Sequence, residues 1–155
     1  MIPQSEPPTE PMSKTRLRLW LKLLKTSGRI EAELRRRLRD EYATTLPRFD
    51  VMAALSRFPN GLKMSELSDL LRVSNGNVTG IVDRLTDDGH ALRVAVCGDR
   101  RAQLARVTWA GQGAFTKLAQ AHGAWLDELV QGLDAEDAAI LHTLLGKTEG
   151  ETNAQ

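Results

Sequence analysis

The strongest constraint in the chain lies between residues 65 and 108, where two short apolar helices are followed at once by strand-like alternation. Leu67, Leu70 and Leu71 give the first helix its apolar side, and Ser65 stands where an N-cap is needed. Ser74 is placed to cap the second helix, with Val73 and Val78 at the two positions of a hydrophobic staple. Val78, Ile81, Val82 and Leu85 then recur at the i, i+3, i+4, i+7 spacing of a core-facing stripe. Asp87-Asp88-Gly89 supplies the stop, because glycine accepts the left-handed conformation that closes a helix. Leu92, Val94 and Val96 alternate with Ala91, Arg93 and Ala95, Gly98-Asp99 carries turn chemistry, and a second strand runs over about 103–108. Two helices joined by Arg72-Val73-Ser74 and trailed by a hairpin predict a winged helix-turn-helix.

That arrangement points outward as well as inward. With the stripe against the core, Gly76, Thr79, Gly80, Asp83 and Arg84 project away, and Asn75 and Asn77 sit at the N-terminal end. Asparagine can pair bidentately with adenine, and threonine can bond a base edge or pack on a thymine methyl. The bare N–H groups from Ser74 onward suit a phosphate. Ser74, Asn75, Asn77, Thr79 and Arg84 are therefore the expected contacts to double-stranded DNA in the major groove. Arg100 and Arg101 at the hairpin tip suit the strong negative potential of a minor groove, with Asp99 bracing the wing. A helical domain with a solvated hairpin and an incidental arginine pair is the plainer alternative, and the order and spacing of the pieces weigh against it.

The remaining sequence frames this segment. The 155 residues can bury one core without staples. Residues 1–12, with four of the six prolines, read as a flexible tail, as do 149–155. A single winged-helix domain is expected over 13–148, with its DNA-binding region at about 46–108 and helices at 13–41 and 111–147. The first of these carries Leu17, Trp20, Leu21 and Leu24, then Ile30, Leu34 and Leu38, with Ser27-Gly28 as a place to bend. Thr45-Leu46-Pro47 opens a helix burying Phe49, Met52, Ala53 and Leu55. A fifth helix aligns Phe115, Leu118, His122, Trp125, Leu126 and Leu129. Asp134 and Asp137 form a capping-box pattern before a sixth, with Leu141, Leu144 and Leu145 turned inward. The surplus of apolar helix at both ends suits an obligate homodimer, against the alternative that these helices only cover the domain. The fold class is thus mainly α with a small β-hairpin wing, flanked by N- and C-terminal dimerisation helices.

Charge and composition narrow the function. The net charge of +1 hides ten Lys/Arg against three carboxylates over 13–40, and an acidic excess beyond residue 104. Such asymmetry accompanies nucleic-acid surfaces, and equally a pair of oppositely charged helices. No apolar run approaches the ~20 residues of a membrane span, and the N-terminus lacks a secretory pattern. One cysteine, Cys97, fits a reducing cytoplasm. It could be a redox sensor, but no second cysteine would resolve a sulfenate, and a structural thiol is the simpler reading. His90, His122 and His142 lack ligand spacing, so no metal is expected. No nucleophile–base set appears, so neither enzymatic activity nor a cofactor is expected.

The run from Ser74 to Leu85, then Asp88-Gly89, Gly98-Asp99-Arg100-Arg101 and Val107-Thr108-Trp109-Ala110-Gly111, resembles the MarR (multiple antibiotic resistance regulator) family. The resemblance covers about Arg16 to Lys147. It implies a homodimer with interleaved terminal helices, recognition helices in successive major grooves of a pseudo-palindrome, and wings in the flanking minor grooves. It also implies repression that a small aromatic ligand relieves. Two positions depart from the pattern: Gly80 replaces a frequent basic residue, and His90 a frequent leucine. Around Trp20, the run Arg35-Arg36-Arg37-Leu38-Arg39, and Leu46-Pro47-Arg48-Phe49-Asp50, the sequence is similar to a branch that controls aromatic-acid catabolism. That likeness implies an aromatic acid or aromatic acyl-CoA effector, with Arg35, Arg36 and Arg39 on the phosphates and Trp20 and Phe49 beside the acyl group. The run is also readable as a solvated helix face. Two other functions stay open at this point: a winged helix used only for protein–protein contact, and a thiol-based regulator through Cys97.

Overall fold

A computed structural model describes residues 12–71 and 73–150, with the side chains of residues 100 and 101 excepted. Most of both expected tails lies outside the described residues. Helix α1 (Met12–Tyr42) is continuous through Ser27-Gly28. The Thr45 hydroxyl accepts the Arg48 N–H at 3.3 Å, and Pro47 fills the first turn of α2 (Leu46–Arg57). Helix α2 buries Phe49, Val51, Met52, Ala54 and Leu55, residues distributed around its circumference, as expected of a helix enclosed by others. Alternation at 3.6 residues cannot reveal such a helix, and Val51 and Ala54 are buried where Ala53 was expected.

Strand β1 (Leu62–Lys63) leads into α3 (Met64–Leu71), and α4 (Asn75–Asp87) leads into β2 (Ala91–Val96) and β3 (Asp99–Val107). The sheet is antiparallel in the order β1-β3-β2. A two-residue strand leaves no periodic signal, so the expected hairpin is in fact three-stranded. Helix α3 also begins one residue before Ser65, and Glu66 accepts the Lys63 N–H at 2.8 Å. The face of β2 that turns toward α4 carries Ala91 and Arg93, whereas Leu92 is 39% exposed. Hydropathy alone predicts the opposite face. Ala91 is buried beneath the helix and Arg93 is held there by its bond to Asp83, whereas Val94 and Val96 on the other face are only half-buried. The core joins Leu34 and Leu38 to α2, Leu67, Val78, Val82, Leu85, Ala105 and Leu118.

Thr108 locks the sheet to α5 (Trp109–Leu129). Its N–H donates to the His90 carbonyl at 3.0 Å and its hydroxyl donates to the Gly89 carbonyl at 2.6 Å. The same hydroxyl accepts the Gly111 N–H at 3.0 Å. A Cβ on Gly111 would lie 2.0 Å from the His90 oxygen, so only glycine lets α5 start this close.

The chain divides into two compact units, Met1–Ala119 and Gln120–Gln155. In the second, α6 (Ala135–Gly146) opens with a reciprocal capping box between Asp134 and Asp137. Trp125 is buried, and burial lowers the His122 pKa, favouring its neutral form. Leu141 and Leu144, expected inward, are 39% and 50% exposed, and α6 has no buried residue. Leu17, Trp20, Leu21 and Leu24 on α1 are likewise about half exposed. No helix among the described residues is long and apolar enough to cross a membrane.

Gly111→Ala is expected to lower stability by ~1–3 kcal/mol, the range for forcing atoms into a filled site. Urea unfolding checks this, and an unchanged midpoint would refute the close approach.

Candidate nucleic-acid interface

Both ends of α4 are fixed. At its start Ser74 has extended backbone, and its hydroxyl accepts the Asn77 N–H at 3.4 Å. The preceding turn is pinned by buried Ser68, whose hydroxyl donates to the Val73 carbonyl while its own carbonyl accepts the Val73 N–H at 3.1 Å. At the other end Gly89 takes φ +78°. The Gly89 N–H donates to Thr86 O and the His90 N–H to Leu85 O, the two bonds of a Schellman closure. Arg48 on α2 also pairs with Asp88, and that bond lowers the Asp88 pKa. Of these supports, the Ser74 cap and the glycine stop are readable locally. Ser68 and Arg48 act on partners that no short motif reveals.

The apolar stripe turns inward and leaves the opposite face of α4 open. Asn75, Gly76, Asn77, Gly80, Asp83 and Arg84 are exposed, while Val78, Val82 and Leu85 are buried. Thr79 is half-buried and its hydroxyl donates to Asn75 O at 2.8 Å, so toward a base it has an acceptor to offer first. A Cβ added to Gly76 or Gly80 would meet no atom of the chain within 4 Å. Packing therefore does not require either glycine, although glycine inside a helix costs ~1 kcal/mol against alanine.

The wing has a regular base and an irregular tip. The β2–β3 ladder steps from Ala95–Gln103 directly to Val96–Asp99, leaving residues 100–102 outside the register. Arg100 and Arg101 belong to that offset stretch, and their side chains lie outside the described residues. Asp99 and Cys97 are exposed beside the turn. A brace that sequence reasoning missed comes from Arg93, whose guanidinium reaches Asp83 on α4 at 2.6 Å and Gln103 on β3 at 3.0 Å.

The expected effector residues do not gather into one place. Arg35 lines a cavity of about 450 Å³ together with Pro47, Asn77, Gly80, Ile81 and Arg84. Arg36 is engaged by Glu33 and Asp40, and Arg39 by Asp40. Hydrogen bonds from Arg36 and Arg37 hold the Glu33 carboxyl at about 2, so much of this charge run is spent on its own helix. Phe49 is a core residue, its ring 5.6 Å from that of Phe115. Trp20 is exposed and, at 1.5 Å per residue, stands roughly 20 Å along α1 from Arg35. A second cavity, of about 380 Å³, lies between Tyr42, Arg48, Asp88, His90 and Lys117.

Beside Arg35 and Glu31, a smaller cavity holds Asp50, whose pKa is raised by burial against the pull of Arg35. Among the described residues no three His, Cys, Asp or Glu side chains gather as metal ligands.

A helix-turn-helix braced at both ends and extended by a three-stranded wing defines a winged-helix regulator. The MarR family model matches residues 44–102. The transcriptional activatory protein BadR of Rhodopseudomonas palustris is 32% identical over 130 residues, covering 82% of this chain and 73% of its own. The regulator PecS of Dickeya dadantii is 26% identical over 111 residues, covering 70% and 67%. A MarR family regulator from Silicibacter pomeroyi superposes with TM-score 0.76 at 34% identity, over 91% of this chain and 97% of its own. A mutant of Escherichia coli MarR complexed with operator DNA shares the fold, with TM-score 0.73 at 24% identity over 90% and 99%. The chain belongs to the MarR family, whose members are transcription regulators and not enzymes.

The raised Asp50 pKa fixes the sign of a pH effect. Below the unfolded value near ~4 the carboxyl is neutral in both states, and stability falls as pH rises through the higher folded value. Asp50→Asn is expected to raise Tm at neutral pH, with the gain shrinking as the pH falls to about 4. Thermal unfolding of both proteins across that range checks it, and a neutral-pH loss would contradict the burial argument.

Proposed function

We propose that this protein is a cytoplasmic, homodimeric repressor that binds a pseudo-palindromic operator and is released from it by a small aromatic effector. The observation that carries this reading is the exposed N-terminal face of α4, built from Asn75, Asn77 and two glycines and fixed at both ends. Asn77 reads an adenine edge in the major groove, and Arg84 and the Ser74 turn hold phosphates. Arg100 and Arg101 enter the flanking minor groove, with Asp99 shaping the turn beneath them.

Dimerisation is supported by the apolar side chains left at the surface of α1 and α6, including Leu17, Trp20, Leu21, Ile140 and Leu144. Each is already about half buried, so completing its burial is worth about half of the ~1.5–3 kcal/mol for a fully exposed side chain, and several together favour association. The effector site is supported by the Arg35 cavity, because Asn77 and Arg84 belong to its wall. A carboxylate or phosphate drawn to Arg35 and Arg84 competes with DNA for the same groups. An aromatic acid or its CoA thioester has that chemistry. Trp20 and Phe49 are not required at this cavity, and Arg36 and Arg39 extend the basic rim of α1. The name of the relative BadR makes that protein an activator. In this chain the shared wall favours release on ligand binding, the behaviour of a repressor that its ligand relieves.

Fluorescence anisotropy with duplexes from the gene's own promoter is expected to show binding that weakens steeply with salt as phosphate contacts release counterions. Asn77→Ala should relax preference at one base pair by ~1–3 kcal/mol, whereas Arg100→Ala or Arg101→Ala should weaken all sequences. Absence of duplex binding at low salt would end the regulator reading. Calorimetry with aromatic acids and their CoA esters tests the effector, and no heat with any of them would remove that part alone.

A further inference from the structure

We infer that Arg93 is a positioning residue that fixes the recognition helix against the wing, so that Asp83, an acid on the DNA-facing side, strengthens operator recognition. The inference rests on the DNA-reading role proposed for α4 and the wing. A lone carboxylate on that face should only repel phosphates. Asp83 is 56% exposed at its side chain, yet its Oδ1 accepts from Arg93 Nη2 at 2.6 Å. The other terminal nitrogen, Nη1, donates to Gln103 Oε1 at 3.0 Å. One planar guanidinium thus joins α4, β2 and β3.

Where it joins them matters. Arg93 pairs in register with Ala105, and Gln103 is its diagonal neighbour on the adjacent strand, within reach of a long side chain. Gln103 is also the last residue in register before the offset stretch 100–102 that bears the wing arginines. The clamp therefore grips the wing at the edge of its regular part and ties that edge to the third turn of α4. Its Nε is buried without a hydrogen-bond partner among the described residues, so the side chain enters this site for the two terminal bonds. Lysine has the charge but lacks the fork, and cannot span both acceptors in the same geometry.

The test compares Asp83→Asn, Arg93→Lys, Arg93→Gln and the Asp83→Asn/Arg93→Gln pair on the operator and on an unrelated duplex of equal length. Circular dichroism melts serve as a control for folding. The expected result is a tenfold or greater loss of operator affinity for Asp83→Asn, with binding to the unrelated duplex unchanged or tighter. Arg93→Lys should behave like Arg93→Gln, and the double variant should lose no more than the worse single one, since both remove one coupling. Hydroxyl-radical footprints should weaken selectively over the wing-contacted minor groove. Asp83→Asn tightening both duplexes alike would overturn the inference, leaving Asp83 as a repulsive charge. Arg93→Lys retaining full operator affinity would overturn it too, making Arg93 a simple phosphate contact. If wild-type protein binds neither duplex, the DNA-reading role fails first, a result distinguishable from failure of the clamp.

Discussion

Placement of the recognition helix depends on how the chain leaves it. Gly89 turns the backbone left-handed, two closing bonds cap the final carbonyls, and the following His90 carbonyl is covered by Gly111. Thr108 sits between them and bonds to both sides of the junction. Recognition helix, sheet and α5 therefore share one small polar knot in which the Gly89, His90, Thr108 and Gly111 N–H groups all have acceptors. A side chain on Gly111 would collide with the His90 carbonyl and spread the knot.

Much of this was legible because it is local. The Ser74 cap, the glycine stop, the Thr45-Pro47 entry and the Asp134–Asp137 box each occupy a few consecutive residues whose chemistry determines the backbone. The stripe on α4 was equally clear, since one helix face meets one core. Legibility failed where the determinant is distant or too short to be periodic. β1 has two residues, α2 is buried on most sides, and the face of β2 toward α4 is set by the Arg93–Asp83 bond as well as by hydropathy. The Arg93, Ser68 and Arg48 contacts join residues that only the folded chain brings together.

The candidate effector residues show the same division. A run of arginines in sequence suggests a phosphate grip, but on a helix successive residues point in different directions and find nearby carboxylates. Glu31, Glu33 and Asp40 take up Arg35, Arg36 and Arg39 at one turn or less. Arg35 alone also reaches a cavity beside α4. The bulky aromatic Phe49 serves the core, as large apolar side chains at the centre of a small domain usually do.

The shortest element of the sheet carries a mechanical consequence. β1 pairs Leu62 with Ala105 and Lys63 with Leu104, and α3 begins at the very next residue. There is no slack between the strand that holds the wing and the helix that supports the recognition helix. A push on the wing is therefore delivered to the helix pair with little loss. The spacing between wing and helix pair is thus set once, within the protomer, and any surface that meets both must match it or deform to fit.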